Sequence, residues 1–179
     1  PQPARFIFNE ETRQLEVISP SVNGRELDVE ASLAAIASVL FTPPPAPGAP
    51  RQVALAFRYI VPTVHSGATA AELGITELIA QATTYYLGSG ASRQQNIAQA
   101  AARFHGLVIA PGEEFSFNNT IGDIDAKHGF VEGAAIVDNR TQYEFGGGIC
   151  QDSTTVFRAA FWAGLPFTEW RGHQFYISW

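Results

Sequence analysis

The sequence has no methionine, one cysteine and one lysine among its 179 residues. A lone cysteine excludes an intramolecular disulfide, so Cys150 is a free thiol and the cysteine count leaves the redox compartment open. The absence of methionine, including an initiator, predicts that the chain is a piece of a longer protein. Any targeting segment of that parent protein would then lie outside this sequence.

Positive charge is scarce as well, and it is scattered along the chain. Eleven Lys and Arg residues face 17 Asp and Glu residues, which gives a net charge of -6. Nucleic acids and anionic membrane surfaces are bound by clustered basic residues, so we predict no nucleic-acid partner and no membrane contact by this fragment. No run reaches the roughly 20 apolar residues of a membrane-spanning helix. With 46% hydrophobic residues, the chain can still fold around a core.

The first third of the chain predicts a small ββαβ unit over residues 1–65. Two short strands, 5–9 and 14–18, flank a turn-prone segment and form a hairpin pattern. A helix follows, with apolar residues at helical spacing at Leu33, Ile36, Ala37 and Leu40. Residues 42–50 contain five prolines and must be an extended loop. Residues 51–62 then alternate as a strand does.

A small, polar stretch at 65–74 predicts a domain boundary, with a second domain over 66–179. This domain begins with a helix that Ser92 caps and Gly106 ends. Residues 114–118 alternate as a strand, and residues 134–145 predict a β-hairpin. The fold class is therefore α+β, with an antiparallel or mixed sheet in each of two lobes.

The stretch "EFGGGICQDSTTVFRAAFWAGL" places three glycines before the cysteine and an apolar helical pattern after it. Asp152 or Ser153 can cap that helix, so Cys150 lies at its N-terminus, where the helix dipole lowers the pKa of a thiol. The glycines allow close approach to a bound group and can supply an oxyanion hole. His173, from a later strand, completes the minimum set for nucleophilic catalysis. If Cys150 is catalytic, the helix N-terminus and a protonated His173 should depress the pKa of its thiol, whereas an apolar pocket would raise that pKa.

The same residues also have an ordinary structural explanation. Free cysteine is among the most buried residue types, and three glycines can simply make a turn. His173 can be a core histidine. The acids of the Asn-rich loop match no EF-hand spacing and are expected to be solvated; they are Glu113, Glu114, Asp123 and Asp125. A zinc site from Cys150 and His173 lacks paired ligand spacing, so we predict no metal and no cofactor.

Four separated motifs, "RQQNIAQAAARFHGLVIAPGEEFSFNNTIGD", "GFVEGAAIV", "GGGICQDSTTVFRAAFWAGL" and "RGHQF", resemble the VanW family in order and spacing. The resemblance covers roughly residues 90–179. It implies a bacterial cell-envelope protein associated with vancomycin resistance, located outside the cytoplasm, with a membrane-anchored or secreted parent. The unit at 1–65 is similar to the peptidoglycan-binding modules that precede VanW domains. The family continues beyond the histidine, so the resemblance also implies a domain truncated at its C-terminus.

The family motif can be carried over residue by residue. Its Gly-Gly-Gly-x-Cys-Gln-x-Ser-Thr-Thr pattern falls on Gly146, Gly147, Gly148, Cys150, Gln151, Ser153, Thr154 and Thr155. Its Arg and His fall on Arg171 and His173, one residue closer together than in the family, and the family's His-Ser is His173-Gln174 here. The order of glycine, cysteine helix and histidine strand is also similar to the transglutaminase-like, papain-related fold, which implies acyl chemistry.

Two functions are therefore expected. In the first, Cys150 and His173 act on peptide amides of the cell wall as an amidase, peptidase or transpeptidase does. The oxyanion would be held by Gly146, Gly147, Gly148, Gln151 or Ser153, and Arg171 would orient a substrate carboxylate. In the second, the chain is a non-catalytic module that binds peptidoglycan or another envelope protein.

Overall fold

The structure is a computed structural model that describes residues 1–43, 46, 48, 50–137 and 140–172. The chain forms two compact units, Pro1–Ile75 and Thr76–Trp179. Each unit contains helices and antiparallel strand pairs, which confirms the predicted α+β class. The domain boundary predicted within residues 65–74 stays a prediction.

The first unit opens with the predicted hairpin. Strand β1 (Arg5–Asn9) pairs antiparallel with β2 (Gln14–Ser19). The side chain of Asn9 builds the turn, because its Oδ1 accepts hydrogen bonds from the amides of Glu11 and Thr12, each at 3.0 Å. Phe6 of β1 is buried with Ala4, Ala68 and Ala70. The hairpin therefore contributes one aromatic side chain to the core of this unit.

The rest of the first unit differs from the predicted ββαβ order by one strand. Strand β3 (Gly24–Leu27) precedes α1 (Val29–Phe41) and pairs antiparallel with β4 (Phe57–Ile60). The order is therefore βββαβ. Strand β3, "GREL", is short and mostly exposed, so its residues show no alternation that predicts a strand. Only its pairing with β4 makes it a strand. Asp28 caps α1 by accepting a hydrogen bond from the amide of Ala31 at 3.0 Å.

The second unit contains the remaining helices and one hairpin. Helix α2 (Ala91–Phe104) is followed by α3 (Phe117–Ile121) and a 3₁₀ turn at Ala126–His128. Strands β5 (Glu132–Val137) and β6 (Arg140–Phe145) form the predicted hairpin, and α4 (Cys150–Trp162) is the predicted cysteine-bearing helix. Among the described residues, no helix has both the length and the apolar character that crossing a membrane requires.

The strand predicted at 114–118 is wrong, because the chain forms α3 there. Ser116 caps this helix by accepting a hydrogen bond from the amide of Asn119 at 3.3 Å. Phe115 and Phe117 both pack on Phe104, with ring centroids 6.0 and 4.6 Å away. The alternation of the two phenylalanines therefore reflects their shared contact with Phe104. The serine between them favours a helix start over a strand, because its side chain caps the helix.

The core of the second unit lies directly beneath the glycine-rich segment. Its buried members come from two helices and two connecting segments: Ala100 of α2, Ile121 of α3, Phe130 before β5 and Ile149 before α4. Phe104 and Phe117 pack against this cluster from its edge. Ile149 immediately precedes α4, so its burial fixes where the helix begins. Hydrophobic packing thus positions the residue after it, Cys150.

Candidate functional site

The glycine-rich loop before α4 has a backbone that only glycine allows. Gly146 and Gly148 have φ angles of +81° and +113°. A Cβ atom on Gly147 would collide with the backbone of Gly133 in β5. The three glycines therefore serve a sharp turn and a close backbone approach, which agrees with the structural explanation of the motif.

Asn96 holds this loop in place, and the sequence analysis did not identify it. Its side chain is fully buried in the middle of α2. Nδ2 donates to the carbonyl oxygens of Gly147 (3.0 Å) and Val131 (2.9 Å), while Oδ1 accepts from the amide of Val131 at 2.9 Å. The available signal was a polar residue on the apolar face of a helix, beside Ile97 and Ala100.

Cys150 is the first residue of α4 and is exposed to solvent. Helix α4 has no side-chain cap, because Ile149 stands at the N-cap position. The predicted caps, Asp152 and Ser153, lie inside the first turn instead. The loop carbonyls take over the capping, since Ile149 accepts hydrogen bonds from the amides of Asp152 (2.9 Å) and Ser153 (3.2 Å).

The amide of Gly148, two residues before Cys150, has no hydrogen-bond partner among the residues that the structure describes, whereas the amide of Cys150 donates to its own sulfur. The neighbouring amides of Ile149 and Gln151 are engaged, since they donate to Gly146 (3.1 Å) and Gly148 (3.0 Å). One backbone N–H of the glycine-rich loop is therefore left without a partner near the start of α4 among the described residues.

The pKa of Cys150 is raised above its ordinary value. The side chain is partly open to solvent, but the protein atoms around the sulfur limit its hydration, and this burial is the main cause. The hydrogen bond from its own amide and the positive charge of Arg93 lower the pKa, and the carboxyl of Asp152 raises it, each by less than burial does. Among the described residues the pKa is therefore raised, and the lowering expected from a protonated His173 stays a prediction.

Gln151 and Ser153 have different surroundings. The Gln151 side chain is engaged at both ends, since its Oε1 accepts from Nη2 of Arg93 (2.7 Å) and its Nε2 donates to the carbonyl of Tyr85 (3.3 Å). It therefore links the start of α2 and the segment before it to α4. Ser153 is exposed, on a face of α4 adjacent to that of Cys150.

Asp152 is a further unusual residue in the first turn of α4. Its side chain is buried, and Oδ2 has no hydrogen-bond partner among the described residues. Burial raises the pKa of Asp152 to about 7, while the hydrogen bond from its own amide and the charge of Arg93 oppose the shift. The sequence pattern predicts Asp152 only as a helix cap. A buried carboxyl that titrates near neutrality is instead a candidate functional group.

The structure does not bring the two remaining predicted residues to Cys150. His173 lies outside the described residues. Arg171 is exposed, and its Nη2 forms an ion pair with Oε1 of Glu169 at 3.3 Å. Both assignments stay predictions.

The acidic loop contains one group with metal-ligand chemistry, formed by Asp123, Asp125 and His128. One ligand atom from each lies within 4.8 Å of the others. Local capping accounts for two of them, because Asp125 Oδ1 accepts from the amide of His128 at 3.0 Å and lies 2.8 Å from its Nδ1. The hydrogen bond from the His128 side chain is the main reason that the pKa of Asp125 is lowered.

Comparison with known proteins bears on the second unit. Residues 92–179 match the family described as "VanW like protein". Over 98 residues the chain is 36% identical to the "Uncharacterized protein YoaR" of Bacillus subtilis, a match covering 55% of this chain and 32% of that protein. Over 78 residues it is 31% identical to the "Vancomycin B-type resistance protein VanW" of Enterococcus faecalis, covering 44% of this chain and 28% of that protein. The chain thus spans about a third of these relatives. No solved structure matches it.

Proposed function

Because residues 92–179 form a VanW-like domain, we propose that the chain belongs to a cell-envelope protein and acts on peptide amides of the cell wall through Cys150. The Enterococcus relative is named for vancomycin resistance, and this supports a role at the cell wall. A location outside the cytoplasm follows from that substrate. The transglutaminase-like resemblance adds the expectation of acyl chemistry, but no matching solved structure supports it.

The observation that carries this proposal is the geometry at the start of α4. Cys150 is exposed, and the amide of Gly148, two residues before it, has no hydrogen-bond partner among the described residues. Asn96 holds the loop that carries this amide through its bond to Gly147. A donor that is already held in place costs no rearrangement when negative charge develops on a substrate oxygen.

The proposed reaction is an acyl transfer in two steps. The sulfur of Cys150 attacks the amide carbon, the C–N bond breaks, and the leaving amine takes the proton that the thiol gave up. Water or a second amine then attacks the thioester, and the sulfur regains a proton. Since the pKa of Cys150 is raised, the thiol must lose its proton during attack, to a base. We assign that role to His173 and the orientation of a substrate carboxylate to Arg171.

Mass spectrometry tests this proposal directly. The 179-residue chain is incubated with purified cell-wall peptides, and both the peptide products and the intact protein mass are recorded. We expect cleaved or cross-linked peptides and an acyl adduct on Cys150. The variant Cys150→Ser should give neither, with an unchanged circular dichroism spectrum. Equal product formation by Cys150→Ser would overturn the nucleophile assignment, and the same measurement on His173→Ala tests the base.

The raised pKa of Cys150 favours a second candidate, a non-catalytic wall-binding module. In the first unit, Tyr59 of β4 is 70% exposed, and the guanidinium of Arg25 lies 4.5 Å from the ring centre of Phe57. Exposed aromatic rings with neighbouring polar groups are suited to bind a polymer of sugars and peptides.

Sedimentation with purified sacculi tests this second candidate. We expect the full chain to sediment and Cys150→Ser to sediment like the parent. Tyr59→Ala should remain in the supernatant, and so should Arg58→Ala, which removes the exposed cation next to Tyr59 in β4. Equal recovery of the unmodified chain in the supernatant with and without sacculi would contradict wall binding.

A further inference from the structure

A cleft of about 460 Å³ lies in the second unit between residues 82–86, the C-terminal half of α2 and the start of α4. Its apolar wall includes Ile97, Phe104 and Val156, and its polar wall includes Thr84, Asp152 and Thr155. Cys150 does not line it. The cleft is therefore a separate feature from the site proposed above.

Helix geometry explains this separation. Successive residues of an α-helix are about 100° apart around the axis, so residues two apart do not share a face. From α4 the cleft is lined by Gln151, Asp152, Thr155 and Val156, which follow one another around a single face. Cys150 and Thr154 occupy the other face and are exposed. One helix thus presents a thiol on one side and a carboxyl on the other.

The carboxyl of Asp152 contributes to this cleft a buried polar group with one unpaired oxygen. Its side chain is 8% exposed, and Oδ2 is buried without a hydrogen-bond partner among the described residues. Most buried polar atoms are paired, and an unpaired acceptor costs free energy. The hydroxyls of Thr84 and Thr155 are already bonded to each other, 2.7 Å apart. Asp152 is thus the acceptor that a ligand would satisfy.

We propose that this cleft binds a small, largely apolar and uncharged ligand group that donates an amide N–H or a hydroxyl hydrogen bond to Asp152. The apolar side chains of the wall suit the carbon skeleton of such a group. Arg93 already places a positive charge close enough to act on the Asp152 carboxyl, so a cationic ligand would be repelled. Because the pKa of Asp152 is about 7, both protonation states are present at neutral pH, and each keeps a lone pair for a neutral donor.

This inference goes beyond the proposed function, because it concerns the face of α4 opposite the thiol. The experiment is an NMR titration of the full chain with four molecules of equal heavy-atom number: pentanamide, 1-hexanol, 2-hexanone and hexylamine. We expect the amide and the alcohol to shift the signals of Asp152 and Thr155 saturably. The ketone, which has no donor, should bind about tenfold more weakly, the loss that one hydrogen bond of about 1.4 kcal/mol predicts.

Three variants make the assignment specific. Asp152→Leu removes the acceptor and should weaken the amide and the alcohol about tenfold while leaving the ketone unchanged. Asp123→Leu, which replaces an exposed acid of the same unit, should bind all four molecules like the parent. Cys150→Ala should also bind like the parent, so a failure of the catalytic proposal leaves this test intact.

The relative strength of the two donors identifies the source of the ligand group. Tighter binding of pentanamide supports a peptide ligand, and tighter binding of 1-hexanol supports a hydroxylated one. The proposal is overturned if the ketone binds as tightly as the donors, if hexylamine binds best, if Asp152→Leu changes nothing, or if none of the four molecules binds.

Discussion

The side chain of Asn96 donates a hydrogen bond to the carbonyl oxygen of Gly147, 3.0 Å away, and so ties the middle of α2 to the loop before Cys150. The same carboxamide exchanges two bonds with Val131 at the start of β5. One buried polar residue therefore fixes three elements relative to one another. The position of the candidate nucleophile depends on it although the two residues are 54 positions apart in the numbering.

Replacing Asn96 should destabilise the second unit strongly. In Asn96→Ala the amide of Val131 and the carbonyl of Gly147 lose their partner inside the protein, and we expect a loss of about 2 to 4 kcal/mol in the free energy of unfolding. Urea denaturation measures it. Gln95→Ala is the control, since Gln95 is exposed on the same helix and makes a single 3.2 Å bond to Gly129. If Asn96→Ala lost no more stability than the control, the hydrogen bonds of Asn96 to Gly147 and Val131 would not be what holds these elements together.

Sequence patterns predicted the elements that local chemistry determines. The hairpin at β1 and β2 follows from alternation around Asn9, and α4 follows from the glycines before it and the apolar spacing after it. Strand β3 and helix α3 were missed for different reasons. Strand β3 is defined by pairing with a strand later in the chain, in which Leu27 lies opposite Phe57, 30 residues away. Helix α3 is defined by the short cap at Ser116. Neither leaves a periodic signal.

Gly148 should tolerate substitution much less well than Gly164, although both have positive φ angles (+113° and +70°). A Cβ on Gly164 would meet open space, so Gly164→Ala carries only backbone strain of about 1 to 2 kcal/mol. A Cβ on Gly148 would also lie 2.6 Å from Cγ of Arg93 and displace that side chain. We expect Gly148→Ala to cost at least about 1 kcal/mol more, measured by thermal unfolding. Equal melting temperatures for the two variants would contradict the close contact.

The titration of Cys150 should reveal which charges surround it. Because burial raises the pKa of the thiol, alkylation by iodoacetamide should reach half its maximal rate above the free-thiol value of about pH 8.5. Arg93→Gln removes a charge that favours the thiolate, so the midpoint should move to still higher pH. Arg103→Gln, at the far end of α2, should leave it unchanged.

Other outcomes of the alkylation experiment would lead to different conclusions about His173 and Cys150. The pH midpoint of alkylation could instead lie below that of a free thiol and rise again in His173→Ala. This result would place the histidine beside the sulfur, and its charge would then outweigh the burial that raises the pKa of Cys150. A low midpoint unaffected by His173→Ala would contradict the burial of the sulfur. Reaction only after unfolding would make Cys150 structural.

The candidate site was predictable only where it is continuous in sequence. Gly146 to Ser153 span the glycine-rich turn and the first turn of α4, so they are neighbours in sequence and in the structure. The direction of the Cys150 pKa was not predictable, because it depends on how far the fold dehydrates the sulfur. Likewise, Arg93 and Asn96 reach the loop from a helix some 50 residues earlier, and only packing reveals them.

Asp152 should give the protein an unusual dependence of stability on pH. Burial raises its pKa from 3.8 to about 7, so between these values the native state holds a proton that the unfolded chain has lost. Stability attributable to this group therefore falls as pH rises from about 4 to 7 and is level above that. Asp152→Asn removes the cost of charging a buried carboxyl. We expect its free energy of unfolding to exceed that of the parent by on the order of 2 to 4 kcal/mol at pH 8 and to equal it near pH 4.

The matched variant for this measurement is Asp125→Asn, because the pKa of Asp125 is shifted in the opposite direction. Its hydrogen bond from His128 lowers that pKa, so its contribution to stability is present above the unfolded value of 3.8 and is lost as pH falls through the folded value. Asp125→Asn should therefore weaken the protein at neutral pH, and the difference should vanish in acid. Urea denaturation from about pH 2 to pH 8 compares both variants with the parent. If Asp152→Asn were less stable than the parent at pH 8, the carboxylate would have a stabilising partner, and Asp152 would no longer be the unsatisfied acceptor of the cleft.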